Sequence, residues 1–161
     1  MSVTAQIFAM YYAPRRGILA QMDAPPREGR IFTYLMAAAL LFAAAGAPGQ
    51  ARDAFFDDSI PLDARLYWSA IWWLGLFPIV AYGWAAISHA MLRLLGSAGA
   101  AYRARLALFW ALLSLAPLVV LTGLTSAFVG PAPILDILVA ANWGVGILFW
   151  AIGLRAAFDK G

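Results

Sequence analysis

Four long apolar stretches decide what this chain can fold into. A helix needs about 20 mostly apolar residues to cross about 30 Å of hydrocarbon, and the only charged side chain within these stretches is Asp136. A bilayer offers no water to the backbone, so such a stretch is stable there as a helix whose amides bond internally. The sequence therefore predicts an all-α, polytopic transmembrane helical bundle. Its domain covers residues 31–161, with about four spans at 31–48, 66–92, 106–129 and 134–154.

Composition excludes an ordinary soluble domain. The chain is 64% hydrophobic and 12% charged, against about 45–50% apolar and 25% charged in soluble proteins. The net charge of +3 does not indicate nucleic acid as a partner, because the basic residues form short groups between apolar stretches rather than one stripe. The absence of cysteine excludes disulfides, thiolate metal sites and cysteine nucleophiles.

Prolines divide the apolar stretches. The segment Gly130–Pro133 separates the third span from the fourth, because proline removes a helical hydrogen bond and clashes with the preceding turn. Pro78 and Pro117 lie inside the second and third spans, where they predict kinks.

The basic residues predict an orientation. Nine of the eleven lie before the first span, between the second and third, or after the fourth. Lysine and arginine accumulate in cytoplasmic segments, and an even number of spans returns both termini to one side. We expect an integral protein of the bacterial inner membrane with both termini cytoplasmic.

Residues 1–30 form a separate segment. Apolar residues recur there at helical spacing: Val3, Ile7, Met10 and Tyr11. Pro14 suits the first position of a second short helix. We expect two interfacial amphipathic helices on the cytoplasmic leaflet, with Arg15 and Arg16 near anionic headgroups. The alternative is that these helices pack against the protein's own spans.

The loop between the first two spans has its own signals. Asp58 or Ser59 is the expected cap of the second span, with Pro61 in its first turn. Paired carboxylates could bind a cation, but without further ligand spacing they favour a solvated loop.

The polar residues around the second and third spans point to a hairpin rather than to catalysis. The only histidine, His89, has no neighbouring carboxylate or second histidine, and the chain contains no nucleophile, metalloprotease or phosphate-loop motif. We therefore expect no enzyme activity, no metal and no cofactor. The first interpretation of this group is a cytoplasmic hairpin, with its turn at the small residues from Gly96 to Ala100. The second is a contact site for anionic lipid or for a partner protein. Its members are His89, Arg93, Tyr102, Arg103 and Arg105.

Polar residues within the fourth span suggest a helix–helix contact. Asn142 needs a hydrogen-bond partner in lipid, most simply Ser114, Thr122 or a helix of another chain. Gly144 and Gly146 would let that partner approach closely. Asp136 lies in the first turn of its helix, where it can reach outward and favour the positive helix end; the alternative is a role in an ion pathway.

Seven tryptophans mark interfaces and packing. Trp68, Trp72 and Trp73 lie toward one end of their span and Trp150 toward the inner end of the fourth, as interface anchors do. Trp84, Trp110 and Trp143 lie deeper and are expected to pack between helices. A pigment or quinone pocket is the alternative.

Two segments resemble the Yip/Yif (Yip-one-domain) family in its small bacterial form. They are APRRGILAQMDAPPREGRIFTYLMAAALLF, from Ala13 to Phe42, and LLGSAGAAYRARLALFWALLSLAPLVV, from Leu94 to Val120. The resemblance implies a non-enzymatic, all-helical membrane protein that associates with lipids or other membrane proteins. Eukaryotic members bind Rab-type GTPases; this sequence departs from them in having four predicted spans rather than five and a shorter N-terminal region.

Three functions follow as hypotheses. The first is a Yip-type protein acting through protein–protein or lipid association, with membrane lipids and other integral membrane subunits as partners. The second is a small accessory subunit of a larger respiratory, photosynthetic or transport complex. The third is a transporter or channel, for which the spans offer few polar groups.

Overall fold

Long helices dominate the structure. The computed structural model describes residues 2–96 and 101–159, of which about 89% are helical and none lies in a strand. The helices are α1 (Val3–Tyr12), α2 (Pro14–Met22), α3 (Glu28–Phe56), α4 (Leu62–Leu94), α5 (Ala101–Val129) and α6 (Pro133–Asp159). The last four are long and apolar enough to cross a membrane, which confirms the predicted fold class and the number of spans.

The bundle has two distinct ends. Where α3 and α5 begin, the backbone N–H of Arg27 donates to the Tyr102 hydroxyl over 3.2 Å. This end also receives the last residues of α6 and is called the terminal end below. Where α3 and α5 end, a Cβ on Gly49 would lie 2.7 Å from Ser126 Oγ. That is the opposite end.

Helix α5 is the centre of the bundle. In its most apolar window, 56% of the residues are buried, against 17% in α4 and 11% in α6. Phe109 and Trp110 have no exposed surface. A helix that is apolar on every face suits a central position, because each face meets another helix.

Helices α3 and α5 pack most closely where both carry small residues. A Cβ on Gly123 would lie 2.0 Å from the carbonyl oxygen of Ala45. Small residues allow two backbones to approach in this way, and such contacts associate helices in membranes.

The first span is longer than predicted. Helix α3 continues through Pro48 and ends at Phe56, although the sequence suggested an end near Pro48. Beyond the proline, the Arg52 guanidinium lies 4.8 Å from the centre of the Phe56 ring and packs against Gly130, just after the last turn of α5. A cation is favourable at that helix end, which carries partial negative charge.

The start of the second span also differs from the prediction. Helix α4 begins at Leu62 with Pro61 at the cap position, so the expected cap at Asp58 or Ser59 is wrong. The Ser59 N–H instead donates to the Asp57 carboxylate over 3.0 Å. Hydrogen bonds from Ser59 lower the pKa of Asp57.

Helix α4 contains a wide turn before its proline. Residues Ile71–Leu76 form a π-helical segment, in which the Phe77 N–H donates to the carbonyl of Trp72, five residues earlier. Pro78 follows directly and has no amide hydrogen to give. The predicted kink at Pro78 therefore takes the form of a π-helical turn.

The two N-terminal helices pack against the protein's own spans. Pro14 occupies the first position of α2, as predicted. Ile18 and Gln21 of α2 are buried, and α2 contacts α5 and α6. Met10 of α1 is fully buried. These buried faces agree with the alternative expectation, in which the two helices pack against the protein's own spans. Helix α1 nevertheless leaves Phe8 and Tyr12 exposed.

A hydroxyl from α1 reaches the proline turn of α5. Tyr11 donates to the carbonyl of Ser114 over 2.7 Å. Pro117 has no N–H for the carbonyl of Leu113, four residues before it, and the carbonyl that Tyr11 contacts is the next one along the helix. Side chains of neighbouring helices commonly bond to backbone groups near such a proline. Burial raises the pKa of Tyr11, so its hydroxyl keeps the proton that it donates.

Candidate functional site

A deep cleft lies between α4 and α6, with α5 as its floor. Its volume is about 630 Å³, within the roughly 300–1,000 Å³ of small-molecule sites. The lining residues are almost all apolar or aromatic: Phe42, Trp73, Phe77, Trp84, Leu108, Ala111, Leu112, Leu115, Val119, Val139, Asn142, Trp143, Gly146, Ile147 and Trp150.

Aromatic packing holds one wall of the cleft away from the other. Phe42, at the middle of α3, contacts Trp73 at 5.3 Å and Phe77 at 5.9 Å between ring centres. Trp73 and Phe77 themselves lie 5.0 Å apart. These edge-to-face contacts, a favourable geometry for aromatic pairs, attach this half of α4 to α3.

Helix α6 is attached to α5 instead. The Asn142 amide nitrogen donates to Thr122 Oγ1 over 2.9 Å, and a Cβ on Gly146 would lie 3.1 Å from Leu115 Cδ2. This part of α4 therefore packs toward α3 while α6 packs toward α5, and the cleft lies between them.

The two walls meet nearer the terminal end. Trp84 of α4 and Trp150 of α6 lie 5.8 Å apart between ring centres. From Val139 to Trp150 the cleft follows eleven residues of α6, or about 16 Å at 1.5 Å per residue. The cleft is therefore about as long as one leaflet's hydrocarbon layer, half of roughly 30 Å.

The chemistry of the cleft is that of a binding site. None of the residues that line it is titratable. Its polar groups are the Asn142 amide and the indole nitrogens, and Nε1 of Trp150 is buried with no partner in the described part of the chain. Such a surface can accommodate hydrocarbon, but it has no acid, base or nucleophile.

The expected helix–helix contact of the fourth span is only partly formed within the chain. Asn142 pairs with Thr122, one of the candidate partners, and Gly146 packs on Leu115. Gly144 has open space around it and Asp136 is exposed, so neither lies at a contact between helices of the described chain. Helix α6 also approaches α5 closely at Gly153, where a Cβ would lie 2.9 Å from the Cβ of Ala107.

The residues of the predicted hairpin separate into two groups. Tyr102 and Arg105 join the start of α3 to α5: Arg30 Nη2 donates to the Tyr102 hydroxyl over 3.0 Å, and Arg105 pairs with Glu28. Arg103 is half-buried on the same turn. The small-residue turn itself, residues 97–100, lies outside the described residues, as does Lys160.

The other two residues of the predicted hairpin, His89 and Arg93, and the N-terminal Arg15 and Arg16 do not join this group. Arg16 and Arg93 are exposed, and Arg15 lies 3.5 Å from Asp159 at the end of α6. His89 is half-buried, and its Nδ1 has no hydrogen-bond partner in the described part of the chain. Among residues 2–96 and 101–159, no three metal-ligating side chains lie close enough to hold an ion.

Sequence reasoning missed a polar network at the terminal end. Gln21 is buried; its Nε2 donates to Gln6 Oε1 over 2.6 Å, and its Oε1 accepts from the Tyr34 hydroxyl over 3.0 Å. Arg30 Nη2 donates to the Gln21 carbonyl over 3.2 Å. The signal in the sequence was a glutamine on the apolar face of a short helix, which needs buried partners.

The expectation for the deep tryptophans needs correction. Trp110 is fully buried, as expected, but Trp84 is 50% exposed and Trp143 is 70% exposed. Both line the cleft, where the separation of α4 and α6 leaves them without a full set of neighbours.

Comparisons with protein-family models, with curated proteins and with solved structures find no match.

Proposed function

We propose that the protein acts by association within the membrane, with the cleft between α4 and α6 as the site that holds an apolar chain. The observation that carries this proposal is the cleft itself, which is about 16 Å long, rich in tryptophan and free of titratable side chains. Ligand sites are typically apolar concavities with few polar groups. This one opens between two helices that are otherwise largely exposed.

The same features argue for binding rather than turnover. Acid–base and nucleophilic catalysis need a titratable or nucleophilic group within reach of the substrate. The lining offers amide, indole and hydrocarbon surfaces only. The proposed role is therefore non-enzymatic, in agreement with the resemblance to the Yip/Yif family.

The proposal includes a place in the cell. We place the protein in the inner membrane of a bacterium, with the terminal end at the cytoplasmic face, because most of the basic residues lie at that end. Arg16 and Arg93 are exposed there and would meet anionic headgroups, each contributing about 1 kcal/mol near a charged surface.

The experiment compares two substitutions one half-turn apart on α6. Val139 lines the cleft, whereas Ile137 is exposed outside it. Full-length wild type, Val139→Trp and Ile137→Trp are purified in mild detergent and analysed by native mass spectrometry. Circular dichroism checks that all three fold alike.

We expect wild type and Ile137→Trp to retain one hydrocarbon-chain molecule, and Val139→Trp to lose it, because an indole at position 139 occupies the open end of the cleft. Equal retention by Val139→Trp would show that the cleft is not the site.

A second candidate function is an accessory subunit of a larger complex. The observation that favours it is the apolar exposed face of α6, of whose most apolar window only 11% is buried. Purification would then yield a second protein in fixed ratio, and Leu148→Ala, at an exposed position of α6 outside the cleft, would release it.

A further inference from the structure

We infer that the occupant of the cleft is a phospholipid with a protonated amine in its headgroup, whose chain enters from the leaflet at the opposite end. This inference rests on the proposed function and adds the chemical class of the ligand. It combines the ring contact at one end of the cleft, the length of the cleft and the charges beyond its other end.

The ring contact at one end of the cleft indicates the leaflet. Trp84 and Trp150 meet at the end of the cleft nearer the terminal end, whereas in the other direction the lining continues along α6 as far as Val139, six residues after the start of that helix. A chain that reaches the Trp84–Trp150 contact therefore has its headgroup at the opposite end. The length of the cleft, about 16 Å, matches the hydrocarbon of one leaflet.

Asp136 marks the headgroup position. It lies one turn before Val139 on α6, on the stripe that continues through Trp143 and Trp150 along the cleft. Its side chain is exposed in the first turn of the helix, where the helix dipole favours a carboxylate. In the described part of the chain it has no ion-pair partner.

Most of the other charges at this end are also negative. The opposite end carries the carboxylates of Asp53, Asp57, Asp58, Asp63 and Asp136. Its two arginines are engaged: Arg65 lies 3.5 Å from Asp57, and Arg52 lies over Phe56. The chain as a whole has a net charge of +3, so this end is locally opposite in sign. It complements an ammonium group and repels a headgroup whose only charge is negative.

The test is a competition between two lipids with identical chains. Delipidated full-length protein in detergent receives equal amounts of phosphatidylethanolamine and phosphatidylglycerol, and native mass spectrometry measures the ratio of the two bound lipids. The variants are Asp136→Asn and, as a matched control, Asp58→Asn, which removes an equal charge from an exposed position at the same end. Val139→Trp and Ile137→Trp report on the cleft.

We expect wild type to favour the amine lipid about twofold to fivefold, the range that an exposed ion pair supports. Asp136→Asn should bring the ratio close to one, while Asp58→Asn and Ile137→Trp keep the wild-type ratio. Val139→Trp should lose both lipids.

The outcomes separate this inference from the proposed function. If Val139→Trp loses lipid but the wild-type ratio is one, or Asp136→Asn leaves it unchanged, the headgroup assignment is wrong and the cleft remains the chain site. If Val139→Trp keeps its lipid, the proposed function fails and this inference fails with it. A stoichiometric second protein bound in place of lipid would also overturn the inference.

Discussion

A methyl group at position 123 tests the close contact between α3 and α5 at Gly123 and Ala45. In Gly123→Ala, the new Cβ would lie 2.0 Å from the carbonyl oxygen and 2.6 Å from the carbonyl carbon of Ala45. Real Cβ contacts are essentially never below 3.0 Å, so α3 and α5 must separate locally by about 1 Å. Both obstructing atoms belong to the backbone, so no side-chain rotation relieves the overlap.

The magnitude is the difference between two effects. Forcing an extra methyl group into a packed interface costs about 1–3 kcal/mol, whereas replacing glycine by alanine inside a helix contributes up to about 1 kcal/mol. The repulsion wins. With about 2 kcal/mol of overlap less about 1 kcal/mol of helix propensity, we expect Gly123→Ala to lose about 1 kcal/mol of the free energy of unfolding, roughly a factor of 5 in the ratio of folded to unfolded protein.

Gly144→Ala is the matched control. Gly144 also lies inside a long helix, but nothing lies within 4 Å of the place that a methyl group would take there, so this variant gains helix propensity without the overlap. Titration of both variants and wild type with SDS, followed by circular dichroism, gives their free energies of unfolding. If Gly123→Ala is as stable as Gly144→Ala, the close packing of α3 on α5 is refuted.

Three further measurements test individual hydrogen bonds. Tyr11→Phe should lower the free energy of unfolding by about 0.5–1.5 kcal/mol, the net value of one hydrogen bond, whereas Tyr12→Phe, at a 76% exposed position, should leave it unchanged; equal effects would contradict a stabilising bond from Tyr11 to Ser114. A double-mutant cycle of Asn142→Leu and Thr122→Val should give a coupling energy of about 0.6–1.7 kcal/mol, and additivity would exclude the bond. Since its pKa is lowered on folding, Asp57 stabilises the loop above its unfolded pKa, and this contribution disappears as the pH falls through the folded value; an NMR titration that finds no lowered pKa would refute this.

The sequence was sufficient for features that depend on local chemistry. The break at Gly130–Pro133 and the start of α2 at Pro14 follow from the geometry of proline. The four spans follow from apolar length alone. Helix ends were less predictable, because α3 continues past Pro48 through contacts with residues far along the chain, as at Arg52 and Gly130.

The candidate site depends on which helix packs against which, and the pattern of apolar residues along a helix does not specify its neighbours. Thr122 was among the candidate partners of Asn142 because a buried amide needs a hydrogen bond. The cleft was not predictable, since it exists only because α4 packs toward α3 while α6 packs toward α5. Trp143 is therefore exposed where depth in its span suggested packing.

The wide turn at Ile71–Leu76 separates the residues that hold the helices together from those that line the cleft. It lies between the part of α4 that packs mainly on α3 and the part that packs mainly on α5. The path of the α4 backbone, together with the Trp84–Trp150 contact, therefore sets how far apart the walls stand. Val139 and Ile147 line the cleft and are about half exposed, so they contribute little to the packing between helices. What the cleft admits can be altered there without rebuilding the scaffold, which makes this wall the natural place to engineer a new occupant.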